Sequence, residues 1–216
     1  MLEKMDDFFT ARANGYDEHM KSNIVGASAF YKYTASLLPT EKKAKVLDLG
    51  CGTGLELEEF FAVNPYGSVT GIDLTEAMLE ALRAKFSDKD ITMICGSYFN
   101  VSFGEEVFDA AVSVESLHHF TKEEKTPLYT KLRKALKPGG YFIITDYFSD
   151  SDEQEEFHRQ ELLRIRKEQD LSDDIFYHYD TPLTVEHEKE ALLAAGFTQV
   201  EELNRWEVTH TLKAVR

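Results

Sequence analysis

Val46-Leu47-Asp48-Leu49-Gly50-Cys51-Gly52-Thr53-Gly54 is an apolar, strand-like run that feeds a glycine-rich turn and then a helical pattern. Glycines let the chain turn sharply and let a ligand approach the backbone with no Cβ in the way. The helix expected over residues 55–63 presents free N–H groups at its start, which favour an anionic group such as pyrophosphate or carboxylate. Two features oppose pyrophosphate. A G-x-G-x-x-G pattern starting at Gly50 needs Gly or Ala in its sixth position, where Leu55 stands. Asp48 also sets a carboxylate beside the loop, which repels phosphate and attracts an ammonium.

Outward from this loop, strand-like and helical runs alternate. The strand-like runs fall at 45–49, 68–72, 91–95, 107–114 and 141–145, and the helical ones at 55–63, 75–86 and 121–136. Thr75 is placed to cap its helix, with Glu76 in the first turn. The helix over 121–136 stops before Lys137-Pro138-Gly139-Gly140. Such alternation predicts an α/β fold, a parallel sheet covered by helices on both faces, with ligands beyond the C-terminal ends of the strands.

After Asp146 the rhythm breaks. A long charged helix is expected over 151–169, a polar and aromatic stretch over 170–182, and a helix over 184–195 stopped by Gly196. Two strand-like runs, 198–203 and 206–215, are joined by Asn204-Arg205 and predict an antiparallel hairpin at the sheet edge. No Pro/Gly/Ser-rich linker divides the chain, so 1–216 reads as a single domain. Within it, 1–40 forms an N-terminal helical cap over the ligand end, and 147–183 a lid insertion.

The second strand-like run leads into Gly71-Ile72-Asp73-Leu74. An acidic residue about 20 positions after a glycine turn is placed to accept the hydroxyl protons of a ribose. Alone, Asp73 reads as a turn former or a helix cap; behind this glycine loop the ribose reading takes precedence. S-adenosylmethionine carries a ribose, an ammonium, a carboxylate, a sulfonium and no phosphate, and it suits Asp48 and Asp73 together.

With these motifs in place, the sequence resembles the class I, Rossmann-like, seven-stranded S-adenosylmethionine-dependent methyltransferases of small-molecule type. The residues that carry the resemblance are 48–54, 71–73 with Ala77-Met78-Leu79, 96–99, 113–120 and Pro138-Gly139-Gly140, in the family's order. The resemblance implies a doubly wound sheet of strand order 3-2-1-4-5-7-6 with an antiparallel seventh strand. It implies that Asp48, Gly50, Cys51 and Gly52 form the methionine end of a cofactor site, that Asp73 binds the ribose, and that Leu74 and Met78 flank the adenine. Many relatives place an Asp where Ser97 stands here, so the adenine contact passes to Ser97 and the Tyr98 backbone N–H. Tyr16-Asp17 resembles the N-terminal Tyr-Asp of small-molecule methyltransferases: Tyr16 either closes over the cofactor or packs in a surface helix.

Methyl transfer is an in-line displacement at an activated carbon. The protein must align the acceptor, exclude water and, for O–H or N–H acceptors, remove a proton. Glu115, His118 and His119, in the segment after the fourth strand, are the candidate catalytic residues. Glu115 offsets cationic charge and borders the cofactor. His118 or His119 acts as base, or the pair caps the next helix and packs on Phe120. Asp146-Tyr147-Phe148 and Tyr177-His178-Tyr179-Asp180 offer aromatic and titratable groups to enclose a small substrate. No CxxC or Cys/His spacing suggests zinc, and no metal is expected.

The formal net charge of −15 repels phosphate backbones and anionic lipid, so a small-molecule acceptor is expected rather than nucleic acid or membrane. Two cysteines in so long a chain do not make a disulfide framework, and residues 1–7 lack the apolar core of a signal peptide; both point to the cytoplasm. The charged helix over 151–169 leaves a homodimer open. Three other readings remain: a cofactor-binding module without transfer, a tRNA or protein methyltransferase, and a nicotinamide dehydrogenase, the last opposed by Leu55 and Asp48.

Overall fold

Alternate side chains of the strand that opens the glycine loop enter two different cores. In the computed structural model, which describes residues 1–172 and 174–216, that strand is β1 (Lys45–Leu49). Before it come α1 (Met5–Arg12), α2 (Tyr16–Asn23) and α3 (Ala27–Ser36). After it follow α4 (Leu55–Val63), β2 (Ser68–Asp73), α5 (Glu76–Lys85), β3 (Asp90–Cys95), β4 (Phe108–Val114), α6 (Lys122–Ala135) and β5 (Leu136–Tyr147). The chain closes with α7 (Asp152–Glu168), α8 (Val185–Ala194), β6 (Gln199–Trp206) and β7 (Thr209–Val215). Val46 packs with Phe30, Leu57, Phe60 and Leu82 of α3, α4 and α5. Leu47 and Leu49 point the other way, toward Leu128 and Leu132 of α6 and Leu192 of α8. Strands covered on both faces need unbroken apolar runs, which Ala110-Ala111-Val112 and Phe142-Ile143-Ile144 supply.

The sheet order is β3-β2-β1-β4-β5-β7-β6. The first five strands run parallel, and β7 is antiparallel to both β5 and β6. The doubly wound, mostly parallel seven-stranded sheet with a C-terminal hairpin is therefore the fold. No helix among the described residues is long and apolar enough to cross a membrane.

Three local expectations change. The hairpin turns at Glu207-Val208, with Glu207 at φ 53°, whereas Asn204 and Arg205 lie within β6 at a register irregularity. The reason is cross-strand pairing: Trp206 pairs with Thr209, so only two residues are left for the turn. Strand β5 begins at Leu136 rather than Tyr141. Phe108 pairs with Leu136 and Ala110 with Tyr141, so residues 137–140 loop out of register inside the strand. Thr75 occupies the N-cap position of α5, but its hydroxyl donates to Asp73 Oδ1 at 3.1 Å and caps nothing.

The N-terminal helices divide. Helix α3 lies on the sheet, where the Thr34 hydroxyl meets that of Thr145 at 2.6 Å. Helix α1 instead meets the segment that follows α7. Met5 N–H donates to Phe176 O and His178 N–H to Glu3 O, both at 3.0 Å, and the rings of Phe8 and His178 stack with centroids 3.4 Å apart. Within 170–182, Asp173 lies outside the described residues.

Candidate active site

The glycine loop is tied to the end of the neighbouring strand. Gly50 and Cys51 N–H groups both donate to Ile72 O, at 2.8 and 3.1 Å, and Gly52 N–H donates to Asp73 Oδ2 at 2.9 Å. Gly50 has φ 77°, and a Cβ there would sit 2.1 Å from Ser116 Oγ. At Gly52, φ is 48° and a Cβ would meet nothing within 4 Å, because the residue faces open space. Gly71 is glycine for a different reason: its Cβ would fall 2.8 Å from the Sγ of buried Cys51. The start of α2 is pinned to the same loop, since Thr53 Oγ1 donates to Asp17 Oδ1 at 2.5 Å and Lys85 pairs with Asp17.

Above the loop lies a narrow cavity that opens to solvent. Of the residues the sequence singles out for a cofactor, Tyr16, Gly50, Gly52, Asp73, Leu74, Met78, Ser97, Tyr98 and Glu115 line it. Asp48 and Cys51 do not; they lie beneath the loop, 1% and 2% exposed. Among the described residues no N–H donor reaches Asp48, whose buried carboxyl faces that of Glu56. Burial pushes both acids up, Glu56 to about 7. Asp73 is raised by burial too, against hydrogen bonds from the Thr75 and Gly52 backbone that stabilise its ionised form. The Ser97 hydroxyl accepts from Phe99 N–H at 3.3 Å, and the Tyr98 N–H makes no hydrogen bond among the described residues.

A second, wider cavity adjoins the first, and Phe9, Tyr16, Glu115 and His119 line both. Phe8, Tyr147, His118, His178, Asp180 and Thr209 complete the parts of its wall that carry chemistry. Glu115 holds φ 49°, the left-handed region that a side chain of this length rarely adopts. It is fixed there by Thr145 O, which accepts its N–H at 2.9 Å, and by Thr209, whose hydroxyl donates to Oε1 at 3.0 Å. Burial and the nearby Asp146 raise the Glu115 carboxyl to about 7.

The two histidines do not cap the next helix. Thr121 does, accepting from Glu124 N–H in a capping box. His118 Nδ1 lies 2.5 Å from Asp146 Oδ1, and His119 Nδ1 lies 3.0 Å from Asp180 Oδ1. Burial alone would depress His118, but the charge and hydrogen bond of Asp146 outweigh it and raise the imidazole to about 9. Burial and the neighbouring His118 push His119 down to about 4. Adjacent imidazoles are thus driven in opposite directions, His118 by its carboxylate partner and His119 by burial. The sequence reading missed Met5, Phe9, Ser116, Phe176 and Thr209. Met5 and Phe9 reach the cavity only because α1 folds back, and Thr209 only because β7 inserts beside β5. No periodicity in the chain signals either event.

Residues 46–140 match a protein-family model described as a methyltransferase domain. Over 175 residues the chain is 30% identical to the sterol 24-C-methyltransferase ERG6B of Gibberella zeae, covering 76% of this chain and 42% of that protein. The chain spans less than half the length of the curated relatives compared with it, 26% to 47% across eight of them. Its fold is that of human N-acetylserotonin methyltransferase solved with S-adenosylmethionine, at TM-score 0.68 and 16% identity over 98% of this chain and 56% of that one. It is equally that of an S-adenosylmethionine-dependent methyltransferase from Mesorhizobium loti, at TM-score 0.61 and 22% identity over 85% and 96%.

Proposed function

Because the chain belongs to the class I S-adenosylmethionine-dependent methyltransferases, with S-adenosylmethionine as its cofactor, we propose that it methylates a small molecule held in the second cavity. The observation that carries this reading is the pair of joined cavities. One ends on the glycine loop and Asp73, the other on His118, His119 and Asp180, and Glu115 and His119 stand at their junction.

The lining fits the cofactor. The open space before Gly52 admits the amino-acid end, and the remaining lone pair of Asp73 Oδ2 accepts a ribose hydroxyl, Oδ1 being taken by Thr75. Leu74 and Met78 supply apolar cover for the adenine, and Ser97 with the unpaired Tyr98 N–H its polar edge. Asp48 and Cys51 act from below: Asp48 pairs with Glu56 at the start of α4, and Cys51 wedges the loop against Gly71. When bound, the cofactor supplies a methyl group already activated by sulfonium. Tyr16, Phe9 and Glu115 then shield the junction from water, the Glu115 carboxylate opposing positive charge. His119, kept neutral by burial, is the proton acceptor of the acceptor side, its Nδ1 set between Tyr179 O and Asp180, while His118 is the imidazolium paired with Asp146. Helix α1, α2 and the segment around Phe176–Asp180 form the lid over both cavities.

Calorimetry with S-adenosylhomocysteine tests the cofactor site. Micromolar affinity is expected, and Asp73→Ala should weaken it by about tenfold or more, the loss of charge-assisted hydrogen bonds. No binding at millimolar ligand would sink the reading. Methylated product from a panel of metabolites, detected by mass spectrometry, tests transfer; tight cofactor binding with no product from any acceptor would leave a binding module instead. The two unpaired thiols, Cys51 and Cys95, fit a reducing, cytoplasmic setting. A homodimer would use the exposed Phe157 and Leu163 of α7, which light scattering checks.

A further inference from the structure

The acceptor wall gathers two imidazoles and a carboxylate closely enough to share one ion. We propose that His118, His119 and Asp180 form a site for a single divalent transition-metal ion of the zinc or ferrous class, facing the second cavity. One ligand atom from each of the three lies within 4.8 Å of the others. Asp180 Oδ1 is 3.0 Å from His119 Nδ1 and 3.6 Å from His118 Nε2. Metal bonds of about 2.0–2.2 Å at tetrahedral or octahedral angles set neighbouring ligand atoms roughly 3–3.6 Å apart. The spacing therefore needs little adjustment.

Orientation supports the same reading. His118 Nδ1 is committed to Asp146, which leaves Nε2 as the nitrogen turned toward Asp180. Asp146 is itself locked, accepting from Leu117 N–H at 2.7 Å and Tyr147 N–H at 2.9 Å. A carboxylate behind the far nitrogen of a ligating histidine is the arrangement that fixes tautomer and ring angle in metal sites. Glu115, His118 and Asp146 are also within ligating distance of one another, but Asp146 spends its oxygens on these donors and serves better as the orienting group. Asp180 Oδ1 is buried, and no hydrogen bond of good geometry reaches it. Two imidazoles and one carboxylate leave coordination positions open, and all three groups line the second cavity.

This revises the expectation of no metal. That expectation rested on the absence of a local Cys/His spacing, whereas Asp180 arrives from the inserted segment far along the chain. A hydroxyl bound at the open position would release its proton to solvent near neutral pH without a separate base. That use rests on the methyl-transfer reading and points to an oxygen acceptor; binding of the ion does not depend on it.

The test is titration of metal-depleted protein with Zn²⁺ alone against a chromophoric chelator. We expect one ion per chain with sub-micromolar affinity. His119→Gln and Asp180→Asn should each weaken it at least about tenfold, and Asp146→Asn by about 10–100-fold through the loss of orientation. His187→Gln, in the partly exposed pair with Glu155, should leave it unchanged. S-adenosylhomocysteine binding by the same samples reports that the fold is intact, and its failure in the wild type would strike the methyl-transfer reading alone. No uptake at micromolar zinc, or uptake unchanged in the His119→Gln/Asp180→Asn double variant, would overturn the proposal. His118 would then be an imidazolium held between two aspartates.

Discussion

Glu115 combines a left-handed backbone, a buried carboxyl and a place at the junction of the two cavities. Such a conformation costs a non-glycine residue about 1–3 kcal/mol, and burial of the acid adds to it. Glu115→Gly should therefore melt at or above the wild type while methyl transfer falls. A clear loss of stability with activity retained would show that the residue is structural. Asp48 and Glu56 allow a second prediction. Glu56 is raised from an ordinary 4.5 to about 7, so the folded chain holds a proton that the unfolded chain has released over that range. Its contribution falls as pH rises from about 4.5 to about 7, by roughly 3 kcal/mol. Glu56→Gln removes this slope, so its melting temperature should gain on the wild type between pH 5 and pH 8. Parallel profiles for the two proteins would show that Glu56 ionises freely in the fold. At this scale the sequence was informative wherever a side chain meets its neighbours locally, as with Gly50, Gly52 and Asp73. It was least informative for Asp48, whose partner Glu56 sits in the first turn of the next helix and gives no signal that both are buried.

Helices α6 and α8 are joined by a charge pair with no access to water. Lys125 Nζ donates to Glu188 Oε2 at 2.7 Å, the Tyr129 hydroxyl donates to Oε1, and Lys125 and Glu188 are 1% and 0% exposed. Removing one partner strands the other charge, so Glu188→Ala should cost about 3–5 kcal/mol in denaturant unfolding. The double change Lys125→Met/Glu188→Leu should recover most of it. Failure of the double variant to recover would mean that packing at α8, not charge, sets the cost. The periodicity of these helices was legible, but the pair was not, since Lys and Glu read as solvated at any helical position. The hairpin turn illustrates the opposite limit. Asn204-Arg205 looks like a turn by composition, yet sheet register places it at Glu207-Val208, because pairing along β5 and β7 outranks local propensity.

Across the whole molecule, α1, α2 and the segment after α7 cover the C-terminal ends of the strands without adding to the sheet. Helix α1 buries only Met5 and α2 only Met20, and their links to that segment include the Met5–Phe176 and His178–Glu3 backbone bonds and the packing of His178 on Phe8 and Phe9. Few buried contacts imply low local stability. In hydrogen exchange, residues 1–23 and 174–182 should exchange fastest in the free protein and gain protection when S-adenosylhomocysteine binds. Equal protection in both states would argue for a fixed cover. The parallel sheet with helices on both faces was legible in the alternation of strand-like and helical runs, and its strand order in the family resemblance. For the cover, the break in the alternation marked residues 1–40 and 147–183, but the contacts that join α1 to the segment around Phe176 are long-range and no periodicity encodes them. The thiols carry one more consequence. Cys51 is sealed beneath the loop, whereas Cys95 is exposed at the end of β3, one residue before cavity-lining Gly96. A maleimide dye should therefore attach once per folded chain. Placed there, its emission becomes an optical gauge of cavity occupancy in a protein that needs no engineered cysteine.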